Sequence, residues 1–135
     1  MRVALVAFSD GQTEKLRNAT RCISAALGSR GFEAELFGSA EPRVSYFDFV
    51  VVCASFSGSA KAFSLFSKER LDAGAKLEGK RSMAILLKSG LWQGKKLAIL
   101  MSSMESQGMV VTMGEAVGKE SEIPSLIQEA PVVRG

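Results

Sequence analysis

With 135 residues, the chain is long enough to bury one continuous core but too short for two full domains. Its apolar share of 47% and charged share of 23% exclude a disordered chain, and the absence of histidine excludes Ser–His or Cys–His catalysis and histidine metal sites. The net charge of +3 comes from lysines and arginines scattered among acidic residues, which argues against a nucleic-acid-binding groove.

The chain opens with a pattern that predicts a strand followed by a helix. Residues 2–8 form a short apolar run, and Ser9, Asp10 and Gly11 end it as a turn ends a buried parallel strand. From Gln12 onward, apolar residues recur every three or four positions, which predicts a helix that ends at Gly28. The apolar face of this helix consists of Leu16, Ala19, Thr20, Ile23 and Leu27.

The middle of the chain predicts two strands and a second helix. Residues 32–37 alternate in polarity as a half-buried strand does, and residues 46–53 form an apolar run typical of a fully buried central strand. Residues 59–72 carry apolar and charged side chains at helical spacing, which predicts an amphipathic helix of about four turns. The alternation of strand and helix therefore continues.

The second half of the chain predicts two more strands and two more helices. Residues 82–87 form the fourth strand, and residues 109–113 form the fifth strand after a helix stop at Gly108. Residues 96–101 could be read as a strand, but that interpretation leaves too little chain for a closing strand and helix. We therefore predict a helix there, and a brief last helix over 123–129. The helix that includes residues 96–101 has an apolar face of Leu97, Leu100, Met101 and Met104. Its opposite, polar face has Lys95, Lys96, Ser102 and Ser103.

Strands that alternate with helices predict an α/β fold. Right-handed crossovers give a mostly parallel five-stranded sheet covered by helices on both faces. We expect a single domain over residues 1–130 and a C-terminal tail over residues 131–135. The N-terminal apolar run is too short for a membrane span, and Cys22 and Cys53 are interpreted as reduced core residues. These features predict a soluble cytoplasmic protein.

Three loops are candidates for a binding site, because open parallel sheets bind ligands at the carboxyl ends of their strands. They cover residues 9–13, 55–58 and 88–92. The first joins a strand to a helix N-terminus, where unpaired amides and the helix dipole attract phosphate. Structural alternatives stay open: Ser9 or Asp10 as a helix cap, Phe56 as a core residue, and Trp92 as an anchor of its helix against the sheet.

All three loops resemble those of the flavodoxin family, and residues 88–92 stand where the family lines the second face of the flavin. In AFSDGQTEKL, Gly11, Thr13 and Glu14 match the family's phosphate loop, whereas Phe8 and Asp10 replace residues that usually carry hydroxyls. CASFSG resembles the family's loop after the third strand. The resemblance implies the strand order 2-1-3-4-5 and non-covalent binding of FMN. It implies the cofactor-binding residues Ser9, Asp10, Gly11, Gln12 and Thr13 at the phosphate, and Ser55, Phe56, Ser57, Gly58, Ser89 and Gly90 around the flavin ring.

The resemblance also implies a function, which is electron transfer between redox partner proteins by a monomer or homodimer, without nucleic acid, membrane or metal. Flavodoxins that act as carriers are typically acidic, so a basic carrier needs different partners. A carboxylate at Asp10 would repel a phosphate dianion unless it turns away or takes a proton. Two alternatives stay open: a flavin-free interaction module on the same fold, and a small FMN-dependent NAD(P)H:quinone or flavin reductase.

Overall fold

The computed structural model describes residues 1–11, 13–89 and 93–133. Strands and helices alternate along this part of the chain. The strands are β1 (Arg2–Ser9), β2 (Glu33–Phe37), β3 (Phe49–Ser55), β4 (Arg81–Leu87) and β5 (Val110–Val117). The helices are α1 (Thr13–Ser29), α2 (Ala60–Leu71), α3 (Gln93–Ser106) and α4 (Ile123–Glu129), with short 3-10 turns at Pro42–Tyr46 and Glu120–Glu122.

The five strands form one parallel sheet in the order β2-β1-β3-β4-β5, which confirms the predicted α/β fold and strand order. The central strand β3 is buried along its whole length, as its continuous apolar run predicts. Parallel strands need crossover connections. Helices α1, α2 and α3 connect β1 to β2, β3 to β4 and β4 to β5, whereas a segment with a 3-10 turn connects β2 to β3. The carboxyl ends of β1, β3 and β4 therefore lie side by side at one edge of the sheet.

The side chains of β1 alternate between the two faces of the sheet. Val3, Leu5 and Ala7 belong to the core that includes residues of α1 and α4. Ala4, Val6 and Phe8 belong to the opposite core, which includes residues of α2 and α3. Helices thus cover both faces, as predicted.

Two strand boundaries differ most from the prediction. The third strand begins at Phe49 rather than residue 46, because Pro42 starts a 3-10 turn that ends at Tyr46, whose side chain is exposed. The fifth strand continues to Val117 rather than ending at residue 113, because β4 pairs with it along its full length. Gly114 resembles a turn residue in sequence, but it lies inside the paired strand opposite Ala84.

Both cysteines are free thiols within the packed domain. Cys53 is fully buried, and burial raises the pKa of its thiol to about 12, which makes it a core residue without nucleophilic reactivity. Cys22 is half-buried and packs against the same core. After α4, Val132 is also buried there. No helix in the described residues is long and apolar enough to cross a membrane.

Candidate functional site

The strand order reverses between β1 and β3, and their carboxyl ends form the centre of the candidate site. Ser9 lies opposite Ser55 in the parallel register, so the two strands end together. The backbone amide of Asp10 then donates to the carbonyl of Ser55 at 3.3 Å. From this point the chain leaves toward β2 on one side and toward β4 on the other, which is where open parallel sheets bind ligands.

The carboxylate of Asp10 ties the loop after β1 to the loop after β3. Its Oδ2 atom accepts hydrogen bonds from the amide of Ser57 at 3.0 Å, from the Ser57 hydroxyl at 2.9 Å and from the amide of Gly58 at 3.1 Å. Partial burial raises the pKa of this carboxyl, but these hydrogen bonds together outweigh it and leave the pKa below its ordinary value. Asp10 is therefore an ionised group directed at the β3 loop.

The loop after β1 has an open glycine at its turn. Gly11 has a φ of +133°, a conformation that side chains disfavour, and no described atom lies within 4 Å of the position that a Cβ would take there. Helix α1 begins at Thr13 and is 17 residues long, so its dipole points a positive end at this loop. Gln12 and the side chain of Thr13 lie outside the described residues.

The Phe56 ring faces the core rather than the carboxyl edge. It is 6% exposed, and its centroid lies 5.1 Å from that of Phe63 and 5.5 Å from that of Phe66. A Cβ at Gly58 would lie only 2.7 Å from the Cε2 atom of this ring, so the glycine makes room for it. The structure thus favours the core interpretation of Phe56, and stacking on a flavin would require the ring to leave this position.

The loop after β4 is described only in part. The Ser89 amide donates to Oε1 of Gln93 at 3.2 Å, and Nε2 of Gln93 donates back to the Ser89 carbonyl at 2.7 Å. These two bonds hold the start of the loop against the first turn of α3. Gly90, Leu91 and Trp92 lie outside the described residues, so the roles expected for Gly90 and Trp92 stay predictions.

Lys96 was predicted on the polar face of α3, but its side chain is buried next to two loops of the candidate site. Lys96 is 1% exposed, and its Nζ atom donates to the carbonyl of Phe56 at 2.8 Å. The same atom lies 3.5 Å from the carbonyl of Ser89 and 6.0 Å from the centroid of the Phe56 ring. Lys96 is therefore a buried cation between the loops after β3 and β4.

The burial of Lys96 could have been found from spacing. It lies four residues before Leu100 and eight before Met104, which are both on the buried face of α3. Ser103 was also expected on the polar face, but it is buried and its hydroxyl lies 3.0 Å from that of Ser67 in α2. The contact between Asp10 and the β3 loop, in contrast, had no periodic signal.

A cleft lies between the first turns of α1 and the ends of β4 and β5. Its volume is about 340 Å³, and its lining includes the buried side chains of Leu87, Val117 and Ile123. Lys15, Lys119 and Glu120 also line it, and the ammonium of Lys15 donates to the backbone carbonyl of Lys88. Charged side chains of both signs thus flank the carboxyl edge on the side of α1.

The sequence matches no protein-family model and no curated protein. Its fold, however, matches solved structures. One of them is described as a flavodoxin from the domain Archaea, with a TM-score of 0.64 and 13% sequence identity over 96% of this chain and 100% of that chain. A likeness at this level of identity shows architecture alone. This match and the strand order β2-β1-β3-β4-β5 show that the chain has a flavodoxin-like fold.

Proposed function

We propose that this chain binds FMN non-covalently at the carboxyl edge of its sheet and passes electrons between redox partner proteins. One observation carries the proposal: Asp10 joins the loop after β1 to the loop after β3, at the point where the strand order reverses. Together with Lys96, which contacts the loop after β3 and lies near that after β4, this contact holds parts of three loops close to one another. Such preorganisation reduces the conformational entropy that the loops would otherwise lose when a ligand binds.

The residues of the phosphate loop fit a phosphate in two respects. Gly11 leaves space beside the backbone, and the N-terminus of α1 provides a favourable electrostatic end for an anion. The Asp10 carboxylate is directed at the β3 loop, where three hydrogen-bond donors disperse its charge. The phosphate-binding residues in this proposal are Ser9, Gly11, Gln12 and Thr13.

The ring of FMN would supply the redox chemistry, and the chain would position it. The loops that contain Ser55, Ser57 and Gly58 on one side, and Ser89 and Gly90 on the other, would contact the ring through their backbone. Their peptide groups set how well each redox state of the ring is solvated. No side chain of this proposal acts as an acid or a base.

A second candidate function is a flavin-free interaction module. Two observations favour it: the Phe56 ring lies in the core, and the amides of Ser57 and Gly58 already donate to Asp10. A site whose aromatic ring and loop donors are satisfied internally has fewer groups left for a cofactor. The two functions differ in whether the purified protein holds a flavin.

The visible absorption spectrum of the protein tests the proposal. The purified protein is mixed with excess FMN, and gel filtration then removes the unbound flavin. We expect flavin bands to stay with the protein at about one FMN per chain, because a preorganised site binds with little ordering cost. A protein that stays colourless would contradict FMN binding and favour the interaction module. Reduction of the bound flavin by NADPH alone would instead indicate a reductase.

A further inference from the structure

The peptide group between Phe56 and Ser57 is held at both ends by opposite charges. Nζ of Lys96 donates to the Phe56 carbonyl at 2.8 Å, and Oδ2 of Asp10 accepts the Ser57 amide at 3.0 Å. This carbonyl and this N–H are the two ends of one planar peptide dipole. A cation at its oxygen and an anion at its hydrogen both favour the same orientation of the group.

We infer that Asp10 and Lys96 act together, through this peptide, as a lock that fixes the backbone at the carboxyl end of β3. Hydrogen bonds to charged groups are stronger than neutral ones, and the burial of Lys96 strengthens its share further. Asp10 adds bonds from the Ser57 hydroxyl and the Gly58 amide, so the peptide cannot turn without losing several contacts. Asp10 and Lys96 are positioning residues in this account.

The lock would also tune the reduction potential of a bound flavin, a consequence that rests on the proposed function. Reduction by dithionite delivers two electrons to FMN, and uptake of one proton leaves one additional negative charge on the ring. The cation of Lys96 favours that charge and the anion of Asp10 opposes it. The two residues should therefore shift the potential in opposite directions, which a loss of packing alone would not produce.

Amide hydrogen exchange in the flavin-free protein tests the lock. Lys96→Met removes the contacts of Nζ with the carbonyls of Phe56 and Ser89 and leaves Asp10 in place. Exchange at the Ser57 amide on the other side of the peptide should nevertheless accelerate about tenfold, because a charge-assisted bond is lost. Lys95→Met is the matched control, because Lys95 directly precedes Lys96 in α3 and its side chain is exposed. Equal exchange at Ser57 in the two variants would overturn the lock.

Three further comparisons separate the lock from a general loosening of the fold. Exchange at Val51, in the middle of β3, should stay unchanged, and an equal acceleration there would overturn the lock. Lys96→Gln keeps a donor for the carbonyl and should protect Ser57 better than Lys96→Met does. Combining Lys96→Met with Asp10→Asn should accelerate exchange by less than the product of the single effects. An effect equal to that product would mean independent contacts and no lock.

The reduction potential of the FMN-loaded protein tests whether Lys96 and Asp10 shift it in opposite directions. Lys96→Met should lower the ratio of affinities for reduced and oxidised FMN about tenfold relative to Lys95→Met, which is about 30 mV for a two-electron couple. Asp10→Asn should raise that ratio relative to Asp72→Asn, whose side chain is exposed at the end of α2. Shifts of the same sign would overturn the tuning. A wild-type protein that retains no FMN would overturn the proposed function and the tuning, while exchange at Ser57 still decides the lock.

Discussion

Asp10 occupies a position where the flavodoxin family usually has a hydroxyl, and its environment keeps it charged. Partial burial raises its pKa, but the hydrogen bonds from Ser57 and Gly58 together lower it below the ordinary value. A negative charge therefore stays in the loop after β1 at neutral pH. The carboxylate joins two loops, and in the proposed FMN site it would weaken the binding of a dianion by like-charge repulsion.

The substitution Asp10→Asn separates these two effects. FMN carries a phosphate and riboflavin does not, so only FMN should respond to the lost charge. We expect the FMN affinity to rise relative to the riboflavin affinity by about 1 kcal/mol, the scale of a partly solvated charge interaction. Titration of both flavins by fluorescence quenching measures this ratio. A ratio equal to that of the wild-type protein would show that Asp10 does not act on the phosphate.

The loop after β3 is shaped by the close approach of Phe56 and Gly58. The ring lies among Phe63 and Phe66 of α2, and Gly58 passes it without a side chain. On the same side, Lys96 of α3 reaches the carbonyl of Phe56. Helices α2 and α3 thus fix this loop on its core side.

Gly58→Ala should break this arrangement. The new Cβ would lie 2.7 Å from the Phe56 ring. Because this ring packs against Phe63 and Phe66, either the ring or the loop must move. We expect a loss of about 1 to 3 kcal/mol in the free energy of unfolding, as overpacked cores show. Urea denaturation measures this loss, and contacts between Phe56 and Phe63 in NMR spectra report the ring.

Gly28→Ala is the control for Gly58→Ala. Gly28 lies in α1, and no described atom is within 4 Å of the Cβ that the substitution would add. Alanine is the better helix former there, so stability should rise by up to about 1 kcal/mol. If Gly58→Ala were as stable as the wild-type protein, the packing of Phe56 against the loop would be looser than the structure indicates.

At the scale of the whole molecule, the fold could be predicted from the sequence and the site only in part. Apolar runs such as residues 82–87 mark buried strands whatever their neighbours, and helical spacing marks α1. The bond from Asp10 to Ser57 joins residues 47 positions apart, and such a contact leaves no local pattern. The position of Lys96 could be predicted only in part. Its spacing places it on the buried face of α3, whereas its charge suggests the exposed face.

The charge of the molecule leads to a prediction about its partners. The chain carries a formal net charge of +3, which the phosphate dianion and the reduced ring of a bound FMN would together offset. The local charges therefore decide, and Lys15 and Lys119 line the cleft at the ends of β4 and β5 together with Glu120. Complementary charge steers association, so a carrier in which these lysines dominate should favour acidic partners. Ferricyanide, an anionic oxidant, can stand in for such a partner, and uncharged benzoquinone serves as the control. Raising the ionic strength from about 0.01 M to about 0.1 M shortens the screening length from about 30 Å to about 10 Å.

We expect this increase in salt to slow the oxidation of the reduced FMN-loaded protein by ferricyanide several-fold, with little effect on benzoquinone. Stopped-flow absorbance of the flavin measures both rates. A rate with ferricyanide that rises with salt would mean that Asp10, Glu120 and the charges of FMN, rather than the lysines, dominate the potential at the carboxyl edge. The partner would then have to be basic.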